Sequence, residues 1–313
     1  MKIGAFVPQG WRMDLNNLNP TDEWEIIKNS ALKIETLGYE SLWVYDHFHT
    51  VPSPTIQPTY ECWTLMSALS QITSSIRLGQ MCTCNSYRNP AYLTKIASNI
   101  DVISNGRLEF AIGAGWYDQE YKAYGYEYPS DGTRLKMLEE SIQIYIEMMT
   151  NDKATYNGKY YNIFEAINEP KSIQKPYPPL WVCGGGEKVT LKLLARYGKY
   201  GNWDVDIDTF KHKSKILQDH CVNENRDFTS VIRTLHTNVI IGEDENDLKF
   251  KISKISENTN IPESYYLNRP LVGTKDKVFD NLDNYSELGC GYLTAYIPDI
   301  VWGNTVEILS ERI

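Results

Sequence analysis

Histidine is scarce here, with five in 313 residues, and it never forms a His-Glu-x-x-His pair. Also missing are the Gly-x-Ser-x-Gly elbow of serine hydrolases and the Gly-x4-Gly-Lys-Ser/Thr phosphate loop. Without them the common hydrolase and phosphotransferase readings lose their chemistry. Cysteine is sparse too. The six are expected to be reduced cytoplasmic thiols, and Cys82-x-Cys84 lacks the second pair that a structural zinc site needs. No apolar run reaches the roughly 20 residues of a membrane span. The stretch Met1-Lys2-Ile3-Gly4-Ala5-Phe6-Val7-Pro8 has too short an apolar core for a secretory leader and reads as a first strand. Basic residues are outnumbered 31 to 40, and the net charge of -9 argues against nucleic acid or an anionic membrane surface as partner.

Aromatic residues, by contrast, are plentiful. Twenty-two Tyr and eight Trp suit a flat, half-polar ligand. One stretch stands out, Pro179-Leu180-Trp181-Val182-Cys183-Gly184-Gly185-Gly186-Glu187. A short apolar run reads as a buried strand, and Leu191, Leu194 and Ala195 then follow at helical spacing. Glycines at such a handover let backbone amides approach a ligand, and the helix N-terminus adds unpaired N–H groups. The alternatives are a phosphate cradle and a plain strand–helix turn.

The rest of the chain keeps the same beat. Apolar segments at 2–8, 41–45, 76–84, 107–112, 180–183, 201–205, 231–241 and 291–297 read as strands, with helical patterns between them. Tyr156-Asn157-Gly158-Lys159-Tyr160 reads as a small hairpin. Eight strand–helix units without a dividing linker predict a (β/α)8 barrel with insertions, a single domain over 1–313. The doubly wound sheet is the alternative. The strand-to-helix loops after the first, second and fourth strands are long, and barrels build active sites from such loops.

Those loops carry the candidate chemistry. Asp46-His47-Phe48-His49 ends the second strand. His47 is the candidate acid/base there, against a merely loop-anchoring role. Gly113-Ala114-Gly115 lacks the third glycine of a dinucleotide fingerprint, since Asp118 holds that place. It reads instead as close backbone approach to a flat ring, with Trp116, Tyr117, Glu120 and Tyr121 nearby. His47-x-His49 with Asp299 could serve a metal-dependent hydrolase, but the fifth and sixth strands end without histidine. No metal is expected. A phosphate cradle, an aromatic rim and no nucleophile suggest a phosphate-bearing cofactor that brings its own chemistry.

The chain resembles the luciferase-like oxidoreductases, which include FMN-dependent monooxygenases and enzymes using the deazaflavin coenzyme F420. The resemblance rests on Tyr45-Asp46-His47, Tyr87-Arg88-Asn89-Pro90, Ile103-Ser104-Asn105-Gly106-Arg107-Leu108, Gly113-Ala114-Gly115-Trp116 with Glu120-Tyr121, Pro178-Pro179-Leu180-Trp181-Val182 with its glycines, and Leu271-Val272-Gly273-Thr274. It implies an insertion-bearing barrel. It implies that Gly184, Gly185, Gly186 and Glu187 hold a cofactor phosphate, and that Asp46 and His47 lie by the ring system with Gly115, Trp116 and Tyr121. It implies a bulge and a non-proline cis peptide near Met81-Cys82, behind the ring. Some deazaflavin members have Glu where this chain has Trp116, so their acid/base assignment does not transfer. The expected function is hydride transfer between F420 and a small organic substrate. The alternatives are an FMN monooxygenase fed by a separate flavin reductase, and a non-enzymatic flavin-binding barrel. A homodimer and a cytoplasmic location are further expectations.

Overall fold

The computed structural model describes all 313 residues. Eight parallel strands close on themselves: β1 (Lys2–Phe6), β2 (Ser41–Val44), β3 (Arg77–Gln80), β4 (Leu108–Gly113), β5 (Leu180–Cys183), β6 (Tyr200–Trp203), β7 (Ile232–Gly242) and β8 (Cys290–Tyr296). Each pairs with the next, and β8 returns to β1 with Leu293 opposite Ile3. The expected (β/α)8 barrel is therefore the fold. No helix is long and apolar enough to cross a membrane.

Strand alternation sorts the side chains into two cores. One set, with Leu42, Val44, Leu108, Phe110, Leu180 and Val182, packs outward against the helices. The other fills the barrel interior with rings, including Trp43, Trp181, Tyr200 and Tyr292. Trp181 stacks on Tyr200 with centroids 4.1 Å apart and meets Trp43 edge-on at 4.8 Å. Gly79 makes room for this layer, because a Cβ there would lie 2.2 Å from the Trp43 ring. The aromatic excess thus has a structural use below the site as well as in it.

Most elements lie within a few residues of their expected places, and the differences have local causes. The helix Asp131–Thr150 is capped by Ser130, whose hydroxyl accepts from the Thr133 amide. The first helix starts at Pro20 behind Asn19, which makes no side-chain cap. The hairpin pairs Ala154–Asn157 with Asn162–Ala166 around four residues rather than an Asn-Gly turn. The Glu140 carboxylate holds that wider loop by accepting from the amides of Lys159, Tyr160 and Tyr161 at 2.8–3.0 Å. Leu271–Thr274 is a short strand parallel to the end of β7, outside the barrel.

Candidate active site

At the C-terminal ends of the strands lies a cleft of about 410 Å³. Its floor begins where β3 breaks. The Met81–Cys82 peptide bond is cis, as expected, and Thr83–Cys84 resumes pairing with the end of β4. Met81, Cys82, Cys84 and Cys183 line this floor, with Cys183 Sγ 3.4 Å from Met81 Sδ. Gly115, at φ +80°, crosses so closely that a Cβ would lie 2.0 Å from the Tyr121 hydroxyl and 2.7 Å from Cys84 Sγ. Only glycine fits that backbone and that gap.

His47 stands on one wall. Its Nδ1 is 2.8 Å from Glu120 Oε2, and its ring stacks on Trp11 with centroids 4.4 Å apart and planes 9° apart. Glu120 is wholly buried in the short helix Asp118–Ala123. It also accepts from the Phe48 amide (2.7 Å), the His49 amide (3.3 Å) and the Tyr87 hydroxyl (2.8 Å). Burial pushes the Glu120 carboxyl up, but the His47 hydrogen bond and charge, with the Phe48 and Tyr87 donors, outweigh it and hold the group below its ordinary value. An ionised Glu120 keeps a proton on His47 Nδ1. That leaves Nε2, which has no partner within the protein, to exchange a proton with a ligand. His49 is turned away, with Nδ1 on its neighbour's Thr50 carbonyl at 3.2 Å.

On β5 and its loop, Gly184 adopts φ +118°, which favours glycine. The amides of Gly185, Gly186 and Glu187 have no hydrogen-bond partner in the protein. Thr190, at the start of the helix Thr190–Tyr197, also lines the cleft, and its hydroxyl is uncommitted. Lys213 Nζ donates to the Gly185 carbonyl at 2.6 Å. Free amides and a hydroxyl together fit a bound phosphate, and Lys213 braces the loop that carries them.

The structure brings together His47, Met81, Cys82, Gly115, Trp116, Gly184, Gly185 and Gly186 around one cleft. Three expected ligands stand differently. Asp46 reaches the cleft wall, but its carboxylate is consumed by Arg88 (2.7 and 2.9 Å) and the Cys84 amide (2.8 Å). It anchors the broken strand. Asp46, Glu61 and Cys62 converge in a way that could suit a metal, but Arg88 sits on both carboxylates. Tyr121 is fully buried beneath Gly115 and does not line the cleft; its hydroxyl lies 3.0 Å from Cys84 Sγ. Glu187 points outward to His212 (3.2 Å) and Lys213 (3.5 Å), so its backbone amide, not its carboxylate, belongs to the cradle.

Sequence reasoning missed Trp11, Arg12, Asn202, Asp204 and His236, which complete the lining. His236 had a visible signal, the only histidine placed within a barrel strand. Its Nδ1 donates to the Thr294 carbonyl at 3.0 Å and its Nε2 accepts from the Tyr45 hydroxyl at 3.2 Å. Burial pushes its pKa down, which favours the neutral ring. Trp11 and Arg12 sit in a polar loop whose sequence carries no motif.

The pattern of the luciferase-like monooxygenase family matches residues 1–260. An F420-dependent glucose-6-phosphate dehydrogenase of Amycolatopsis mediterranei is 28% identical over 194 residues, 60% of this chain and 55% of that protein. The chain thus matches little more than half the length of that relative. A pyrimidine monooxygenase RutA of Variovorax paradoxus is 28% identical over 208 residues, 64% of this chain and 55% of that protein. Among solved structures, an F420-dependent secondary alcohol dehydrogenase in complex with an F420-acetone adduct superposes with a TM-score of 0.82. That superposition covers all of this chain and 98% of the other at 20% identity, a likeness of fold. Family pattern, fold and cleft agree: the chain belongs to the luciferase-like monooxygenase family of F420- and FMN-dependent oxidoreductases.

Proposed function

We propose that the protein is an F420-dependent oxidoreductase that exchanges a hydride with a small organic substrate. The observation carrying this is the His47–Glu120 pair opening onto a cleft that also contains an amide cradle. The amides of Gly185, Gly186 and Glu187 and the Thr190 hydroxyl are the groups that would hold the cofactor phosphate, on a loop braced by Lys213. Met81, Cys82 and Gly115 would bound its ring, and Trp116, more than half exposed at the mouth, would cover it. When bound, the deazaflavin supplies the hydride acceptor or donor. The protein then has to move one proton. In the oxidative direction His47 Nε2 takes it from a substrate hydroxyl, and Glu120 steadies the resulting imidazolium; in the reverse direction Nε2 returns it.

The second reading is an FMN monooxygenase supplied by a separate flavin reductase, supported by the pyrimidine monooxygenase relative. The cradle would serve either phosphate. Separate titrations with F420 and FMN, followed by absorbance and fluorescence, distinguish the two. Tighter F420 binding is the expected result. Micromolar FMN binding without F420 binding overturns the proposal in favour of the second reading.

A further inference from the structure

Arg12 is an uncommitted cation in a crowded place. It lies in the loop after β1, and its guanidinium carbon stands 4.3 Å from the Trp11 ring centroid. Trp11 in turn stacks on His47. Arg12 lines both the cleft and an adjoining cavity of about 340 Å³ bounded by Asn16, Asn258, Thr259 and Tyr296. Its charge acts on Tyr45, His236 and Tyr296, the hydroxyl and imidazole wall between the two spaces. Yet none of its five N–H donors meets a partner in the protein.

The nearby carboxylates do not supply one. Arg269 Nη1 holds both oxygens of Asp204 at 3.0 Å. Asp14 accepts from the Gly10 amide at 2.6 Å, the Gln9 amide at 3.3 Å and the Tyr296 hydroxyl at 3.4 Å, and forms no ion pair with Arg12. Nor does Arg12 share the cofactor phosphate: β1 and β5 are four places apart in a ring of eight, so the cradle lies on the opposite rim. A planar fork beside the proton-transfer histidine suits a carboxylate held by two parallel hydrogen bonds.

We propose that Arg12 binds a carboxylate on the substrate, so that the natural substrates are small organic acids. The inference rests on the reading of the cleft as a cofactor-dependent active site with His47 at the reacting end. The ligand's reacting carbon faces His47, and its carboxylate reaches past Trp11 to Arg12.

The test is calorimetric titration of the cofactor-loaded protein with 4-hydroxybutanoate, 6-hydroxyhexanoate and 4-(hydroxymethyl)benzoate, each beside its neutral amide. At least one acid binds at least tenfold more tightly than its amide. Arg12→Gln abolishes that preference with cofactor affinity unchanged, and Arg12→Lys restores part of it. Equal affinity for every acid and its amide, no binding by any acid, or an unchanged preference in Arg12→Gln overturns the proposal. Weaker cofactor binding in Arg12→Gln also overturns it, because the guanidinium would then serve an anionic tail of the cofactor. If neither F420 nor FMN binds the wild-type protein, the functional reading fails first. The same acids titrated into cofactor-free protein then report on Arg12 alone.

Discussion

At the scale of single residues the site turns on one imidazole and the carboxylate behind it. Glu120 has no route to solvent and four donors around it, so its negative charge is fixed in place. His47→Ala should lower turnover by about 10²- to 10⁴-fold, the usual weight of a general acid/base. Cofactor affinity should change little, because the phosphate cradle is elsewhere. Wild-type turnover in that variant would reduce His47 to a structural role. Glu120→Gln keeps the size and one acceptor oxygen, removes the charge and puts a donor amide where the second acceptor oxygen stood. The imidazolium formed in turnover then loses its stabilising partner, so kcat should fall while cofactor affinity stays unchanged. Wild-type kcat in that variant would mean that Glu120 only shapes the loop. Cys82 offers a probe without mutation. It alone among the six cysteines is not buried, and it lines the cleft floor. Iodoacetamide should label it first, and the preferred cofactor should slow that labelling at least fivefold, as read by peptide mass spectrometry.

At the scale of elements the β5 loop makes the sharpest case. The sequence indicated a strand, three glycines and a helix, and that order holds. What it hid was the direction of each glycine. A Cβ on Gly185 would lie 3.2 Å from the Lys213 Cε and Nζ. Gly185→Asp would therefore pair with Lys213 and disturb its bond to the Gly185 carbonyl, as well as adding a negative charge beside the phosphate. One lost charge-assisted hydrogen bond is worth about 1.5–3 kcal/mol, or about ten- to a hundredfold in cofactor affinity. Calorimetry beside a melting curve checks this; equal affinities would place the phosphate away from the loop. The same limit explains Asp46, Tyr121 and Glu187. Motif position put all three after the right strands, Tyr121 in the short helix Asp118–Ala123. Side-chain direction depends on partners distant in sequence, such as Arg88 and Cys84 for Asp46, and no local pattern encodes them. Periodicity revealed the strands because alternation and burial repeat along the chain. Arg12 has no such repeat and became visible only once the loop after β1 was seen beside His47.

At the scale of the whole molecule the barrel places ionisable groups where the chain order alone would not, and pH reads their cost. In the loop between β1 and the first helix, burial pushes the Asp14 carboxyl up from 3.8 to about 6, with the Gly10 and Gln9 amides offsetting only part of the rise. A group whose pKa is raised in the folded state adds stability that is complete below the unfolded pKa and is lost as pH rises through the folded one. For Asp14 that window runs from 3.8 to about 6. Its full span corresponds to about 3 kcal/mol, and solvent in the adjoining cavity should reduce it to about 1–2 kcal/mol. Asp14→Asn keeps an oxygen for the Gly10 amide and carries no charge, so it removes this pH dependence. Other groups titrate in the same range, notably His236, but they are common to both proteins and cancel in the difference. Denaturant unfolding of both proteins at pH 4 and pH 7.5 is the measurement. The stability of Asp14→Asn relative to wild type should rise between the two by that amount. A difference that stays constant with pH would mean that the Asp14 carboxyl is solvated enough to keep its ordinary pKa, and that the loop packs less tightly over it than the structure shows.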